Sequence, residues 1–349
     1  MTNLPLAEPV RKINVAVVGL GFMGVTHLRA YLEIPGARIA AVCDPVRLPV
    51  NGVLPGVAGN IKKTEDIHLG ADVKAFQRLE DLLSEPDIDL VDICTPTAMH
   101  PEQVIAALQA GKHVLCEKPL ARSSAAAREI LHVAEASSGM LMLAMCMRFW
   151  PGWGWLKRVV TEKTYGEVFS ARFRRVSEMP AWSRGGTYGS GTDLGGALFD
   201  LHIHDSDFIN HLFGRPAGVF STGVMNTAGV INHVVTQYQY PGGPAVCAEG
   251  GWLLTSGFNM AYSVYCERAT LDFDLARGAG AMIVTESGGQ PRVMDVSGPD
   301  GYGAELDYFV RCVAHRQSPK VVTARDGVAA LEICEAEEKS VRSGLLVKL

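Results

Sequence analysis

Ile13-Asn14-Val15-Ala16-Val17-Val18-Gly19-Leu20-Gly21-Phe22-Met23-Gly24 is the stretch that decides the fold. Apart from Asn14, its first half is an apolar run rich in β-branched valine. Such a run reads as a strand buried on both faces of a parallel sheet. Its second half is a glycine turn with G-x-G-x-x-G spacing, and it opens a helix over about 23–32. Gly19 permits the tight turn, Gly21 lets a pyrophosphate approach the backbone, and Gly24 lets the helix pack on the strand. Phe22 and Met23 fill the variable positions beside the anion. Alone this motif is weak evidence. Asp44 strengthens it: twenty residues beyond Gly24, it ends the next strand (38–43), placed to accept hydrogen bonds from an adenosine ribose. A carboxylate there repels a 2′-phosphate, so NAD is the expected cofactor. Arg47, three residues on, keeps NADP as the alternative.

Outward from this stretch, strands and helices alternate. Strand-like runs at 88–94, 112–116 and 141–146 are separated by helical stretches at 79–84, 101–110 and 123–136, which means βαβ units on one sheet. Residues 45–75, rich in Pro and Gly, read as a loop insertion. Beyond residue 150 the pattern changes to one strand at 167–176, a helix at 195–213, several alternating runs between 217 and 287, and closing helices at 303–316 and 325–342. The expected class is α/β, in two domains. Residues 11–147 form a Rossmann doubly wound parallel sheet. Residues 148–349 form an α+β domain with a large, mainly antiparallel, open-faced sheet. An open face invites a second copy, so a homo-oligomer is expected, with Val224, Val234, Tyr238 and Trp252 as candidate interface residues.

Composition narrows the function classes. The 349 residues carry 32 Lys and Arg against 37 Asp and Glu, for a net charge of −5. That balance gives no footprint for nucleic acid or an anionic membrane. No apolar stretch approaches the ~18 residues of a transmembrane helix, and the first residues hold no signal-like apolar run. None of the eight cysteines sits in a C-x-x-C pair. Buried thiols in a reducing, cytoplasmic setting are therefore expected.

Three further motifs carry chemistry. Thr95-Pro96 with His100, and Glu117-Lys118-Pro119, both follow parallel strands, where ligands of open α/β sheets bind. A lysine at such a turn can stabilise a developing alkoxide. In the third, Gly195-Gly196-Ala197-Leu198-Phe199-Asp200 through His211, the residues Asp200, His204, Asp207 and His211 share one helix stripe. The stripe fits a solvated face, a metal site, or a pair in which Asp200 orients His204 for proton transfer.

Together these motifs resemble the Gfo/Idh/MocA oxidoreductase family, over nearly the whole chain. The resemblance implies hydride transfer between a nicotinamide and a secondary alcohol of a sugar, inositol or related polyol. It implies Lys118, Asp200 and His204 as the catalytic set, with Asp200 holding the His204 tautomer and no metal required. It assigns Gly19, Gly21, Phe22, Met23, Gly24, Asp44, Thr95, Pro96, His100, Glu117, Lys118 and Pro119 to the cofactor. Arg148 resembles a family segment near substrate, and His202 stands where many members have Gly. Trp150, Trp153, Trp155 and Trp182 are available to lie against sugar faces, with packing in the core or between subunits as the competing use. Arg172, Arg174 and Arg184 leave room for an acidic substrate. The same resemblance admits an NAD-dependent glycoside hydrolase, and a non-catalytic nucleotide-sensing regulator.

Overall fold

The computed structural model describes residues 11–57, 64–180 and 195–349. Strand β1 (Ile13–Val18) is buried along its whole length. It leads through the glycine turn into α1 (Phe22–Leu32) and then β2 (Ala37–Cys43). The segment expected as a plain loop contains a small hairpin, β3 (Val53–Leu54) with β4 (Ile67–His68), and an edge strand, β5 (Lys74–Phe76), parallel to β2. A three-residue strand is too short for periodicity to reveal. The chain continues through α2 (Leu79–Leu83), β6 (Leu90–Ile93), α3 (His100–Gln109), β7 (His113–Glu117), α4 (Ser124–Ala136) and β8 (Leu141–Ala144).

The first sheet is parallel throughout, in the order β5-β2-β1-β6-β7-β8. Connections run in opposite directions from β1 and β6, so a crevice opens between the turns that follow them. Those turns are Gly19–Gly24 and Thr95–Pro96. Two compact units divide the chain. The first takes residues up to Glu117 together with His132–Ala144 and Tyr302–Ala324. The second takes Lys118–Leu131, Met145–Gly301 and Arg325–Leu349.

The second unit begins its main run with α5 (Pro151–Thr161) and β9 (Val168–Glu178). A π turn at Leu198–His202 then runs into α6 (Ile203–Phe213). The strands that follow are β10 (Gly218–Met225), β11 (Ile231–Gln239), β12 (Ala245–Leu254), β13 (Phe258–Cys266), β14 (Ala269–Asp274), β15 (Met282–Glu286) and β16 (Arg292–Val293). The chain closes with α7 (Gly301–Ala314), α8 (Ala324–Ser343) and β17 (Val347–Lys348). The nine-stranded sheet has the order β16-β15-β14-β13-β9-β12-β11-β10-β17. Only the β9–β12 pair is parallel. Among the described residues, no helix is long and apolar enough to cross a membrane.

Side chains alternate across a strand, so register decides which residues face inward. Val234, Tyr238 and Trp252 lie on the buried face, which corrects their expected place at an interface. Val224 stands on the outer face, 50% exposed. Arg172 and Arg174 also point outward, where both lie within salt-bridge reach of Glu249.

The inner face packs around Trp153, for which packing, and not sugar contact, is the outcome. It is wholly buried. Its indole meets the rings of Phe208, Tyr262 and Phe273 edge-on, at centroid distances of 6.5, 5.1 and 4.7 Å. The Arg175 guanidinium lies over it at 5.8 Å. The variant Trp153→Ala should lose about 3–5 kcal/mol, the usual cost of truncating a buried indole. Chemical denaturation monitored by circular dichroism checks this.

Candidate active site

Gly19 holds φ +87°, and a Cβ there would lie 2.8 Å from the Cys94 carbonyl. The glycine turn therefore packs directly on the turn after β6. Backbone bonds lock it in place: Gly19 donates to the Cys43 carbonyl and Cys94 donates to the Val18 carbonyl, both at 2.8 Å. Gly24 lies so close to Gly19 that a Cβ would sit 1.9 Å from the Gly19 oxygen. Gly21 is the opposite case. It is exposed, and a Cβ there would meet nothing within 4 Å. Gly21 is the N-cap of α1, and its position carries no side-chain cap, which leaves the helix terminus open to an anion. Phe22 and Met23 are half-buried in the first turn.

Asp44 does more than its position promised. One carboxylate oxygen accepts from the Leu20 amide at 2.8 Å; the other accepts from Val46 and Arg47 at 2.9 and 2.8 Å. It thus pins the end of β2 to the glycine turn. Arg47 donates to the carbonyls of Leu20 and Pro55, so its guanidinium is bound to protein oxygens. On the facing turn, Pro96 is exposed. The Thr95 hydroxyl donates to Gln103 at 2.5 Å, and the buried His100 ring meets the Thr95 carbonyl at 2.8 Å. Both bonds brace the turn from α3. Glu117 ends β7 with a carboxylate 3.2 Å from Nε2 of His27.

The second unit gathers the charged centre. The Lys118 ammonium donates to the Asp200 carboxylate at 2.8 Å and to the Asp200 carbonyl at 2.6 Å. Both side chains keep some exposure, 14% and 31%. The Lys118–Pro119 bond is cis, and Pro119 is buried. His204 is half-buried, and its Nδ1 is sealed from solvent without a hydrogen-bond partner. Burial, then the Lys118 and Arg175 cations, hold the imidazole well below the usual histidine range. The ring is therefore neutral with a free lone pair for a proton, and the same surroundings make it a weaker base until charge changes beside it.

The expected orientation of His204 by Asp200 is not what the structure shows. Among the described residues the two share no hydrogen bond, and the Asp200 carboxylate faces Lys118. The π turn explains it. One extra residue in that turn rotates Asp200 by ~100° from the stripe that α-helical spacing assumes. The rest of the stripe is also committed. Asp207 takes a two-pronged bond from Arg148, at 2.8 and 2.6 Å. The His211 pKa falls to about 3, through burial and then through Arg148 and Lys157. Among the described residues, the one cluster with donor atoms close enough to share a metal lies elsewhere, at His27, Asp92 and Cys94.

The three residues expected near substrate fare differently. Arg148 is buried and spans Asp207 and Asp326, an internal tie between α6 and α8. His202 is wholly buried. Its Nε2 lies 3.2 Å from the Tyr238 hydroxyl and 3.4 Å from Glu337, so it braces α8 against β11. Trp182 lies outside the described residues. Arg175, whose charge acts on His204, was not singled out in the sequence. It is buried on β9 and paired with Asp205 at 2.8 Å. An arginine inside an apolar, alternating strand was the available signal.

Residues 13–145 match the GFO/IDH/MocA model described as an oxidoreductase family with an NAD-binding Rossmann fold, and residues 153–272 match that family's C-terminal domain. The chain is 24% identical to the scyllo-inositol 2-dehydrogenase (NAD(+)) of Bacillus subtilis, over 97% of this chain and 96% of that one. It is 25% identical to the myo-inositol 2-dehydrogenase of Thermotoga maritima, over 97% and 98%. A solved levoglucosan dehydrogenase in complex with NADH and L-sorbose shares the fold with a TM-score of 0.81, at 20% identity over 97% of this chain and 99% of that one.

Two outcomes follow for the site. Gly24→Ala should cost about 1–3 kcal/mol of stability, the usual penalty of forced overpacking. Gly21→Ala should leave the unfolding midpoint in place and weaken NADH binding in a fluorescence titration. Second, folding holds the His204 pKa down, so its ring should remain neutral as pH falls through 6.5, the ordinary histidine value. Proton-detected NMR of the histidine ring hydrogens reads this directly. The unfolded chain takes up that proton, so this site should subtract stability as pH falls through the unfolded value.

Proposed function

Because this chain belongs to the Gfo/Idh/MocA family of oxidoreductases, with its NAD-binding Rossmann fold, we propose that it oxidises a secondary hydroxyl of a sugar, inositol or related polyol. One observation carries the reading: a lysine cation held by Asp200 stands close to a histidine kept neutral by its surroundings. An alcohol oxidation needs those two properties, a base for the hydroxyl proton and a cation for the oxygen left behind.

The residues fit the cofactor. The open cradle at Gly21 and the uncapped start of α1 suit a pyrophosphate. The Asp44 carboxylate offers about four lone-pair positions. Three accept backbone amides, which leaves one for a ribose hydroxyl. Thr95, Pro96, His100, Glu117 and Pro119 shape the adjoining turns. When bound, NAD supplies the acceptor for the hydride of the alcohol carbon. His204 takes the hydroxyl proton. The Lys118 ammonium donates to the substrate oxygen as negative charge develops on it, and Asp200 fixes the ammonium for that task. In this reading residues 11–147 hold the dinucleotide and residues 148–349 hold the substrate.

The outer face of the large sheet supports a homodimer or homotetramer. Phe220, Val224, Val235 and Tyr265 stand exposed there, between 38% and 50%. A cytoplasmic location agrees with eight cysteines that are all free thiols. The paired Lys118 and neutral His204 favour turnover over a purely nucleotide-sensing role.

Purified protein with NAD and a panel of myo-inositol, scyllo-inositol, levoglucosan and aldoses should produce NADH with at least one member. Lys118→Ala and His204→Ala should each lower kcat on that substrate by ~10²–10⁴-fold, the usual share of acid–base help, while NADH affinity holds. Asp200→Asn should mimic a mild Lys118 defect, not a mild His204 defect. Full turnover by Lys118→Ala would remove the lysine from the mechanism.

A further inference from the structure

Behind the dinucleotide turn lies a charged cluster for which the proposed chemistry has no use. His27 is on the second turn of α1, and its side chain is wholly buried. Its Nδ1 lies 2.8 Å from Oδ2 of Asp92 on β6, and its Nε2 lies 3.2 Å from Oε1 of Glu117 at the end of β7. Asp92 is wholly buried and Glu117 nearly so. A neutral imidazole has a single N–H. Asp92 is hydrogen-bonded at Nδ1, while Glu117 lies in ionic range of Nε2 without a hydrogen bond to it; two carboxylates around one ring favour the imidazolium. Burial opposes that charge, yet the Asp92 carboxylate against Nδ1 holds the ring well above its usual range.

We infer that His27 is a positioning residue: clamped between Asp92 and Glu117, it fixes the end of β7 and so the direction in which the chain presents Lys118. The link is covalent, because Lys118 is the residue after Glu117. Its other end is α1, the helix that starts at the glycine turn. One buried cation thus ties the anion-binding helix to the residue next to the catalytic lysine. Breaking a buried pair by removing one partner leaves the other charge uncompensated, so the end of β7 loses one of the contacts that hold it. This inference rests on the reading of Lys118 given above, and its test separates the two.

Cys94 Sγ lies 3.4 Å from the same Nδ1, and the three side chains have donor atoms close enough to share a metal. A zinc ion would need a neutral ring nitrogen and a thiolate. Burial and Asp92 push the Cys94 thiol up, away from thiolate. Asp92 hydrogen-bonds Nδ1 and the Glu117 carboxylate stands in ionic range of Nε2, so both ring nitrogens face a carboxylate without a metal.

The test uses His27→Gln in the full-length protein, with Glu117→Gln as the second variant should the first fail to fold. Lys118 is acylated with a limiting activated ester, and its labelling is measured by peptide mass spectrometry against exposed Lys163. This readout needs no substrate. Lys118 labelling should change severalfold in the variants while Lys163 labelling holds. On the best substrate of the panel kcat should fall about tenfold to a hundredfold, the scale of an ångström-sized misplacement, with the KM for NAD little changed in His27→Gln. A lower melting temperature with unchanged labelling overturns the inference and leaves His27 a purely structural residue. One equivalent of zinc in the purified protein overturns it too. A change in labelling with undiminished kcat would instead overturn the catalytic reading of Lys118.

Discussion

The contact between the Lys118 ammonium and Asp200 organises the candidate active site. The lysine donates both to the carboxylate and to the backbone carbonyl of the same residue. One contact therefore fixes the ammonium in position and sets the placement of the π turn that carries Asp200. The cation it holds acts in turn on His204, and with burial keeps that ring neutral. A lysine without a carboxylate partner would carry its charge on a mobile stem. Here the charge is localised while both side chains retain a share of solvent.

Helix α6 can sustain this arrangement because its other polar groups are anchored. Asp205 meets Arg175 on β9, Asp207 meets Arg148, and Ser206 lies 3.2 Å from both the Tyr238 hydroxyl and Glu337. Each of these groups is buried, and a buried charge is tolerated only when paired and hydrogen-bonded. These ties run to β9, β11, α8 and the turn before α5 that carries Arg148. They fix the rotation of the helix that bears His204 far more tightly than a purely apolar face would. Below them, Trp153 and its aromatic neighbours fill the space between helix and sheet.

The nucleotide half shows the same economy. Asp44 binds three amides, so the residue that would recognise a ribose also holds the glycine turn in shape. His100 and Thr95 brace the opposite turn from within α3. Recognition groups built this way are pre-organised, because the bonds that hold them exist before any ligand arrives.

The amino-acid order by itself determined the parallel βαβ sheet, the glycine turn, the acidic end of β2, the E-K-P turn and the sheet of the second unit. Each depends on local periodicity or on a residue with special backbone freedom, and both are legible along the chain. Lys118, Asp200 and His204 were likewise legible through their motifs. Only the tertiary structure decided their partnerships. Helical spacing put Asp200 on the His204 stripe, but a π turn, which leaves no periodic trace, moved it to Lys118. Arg148 and His202 read as substrate groups because ion pairing with Asp207 or Glu337 is a long-range event, spanning 59 residues in the first case. Val224 and Val234 look alike in sequence, yet they fall on opposite faces because register, set by pairing with neighbouring strands, selects the side that is buried.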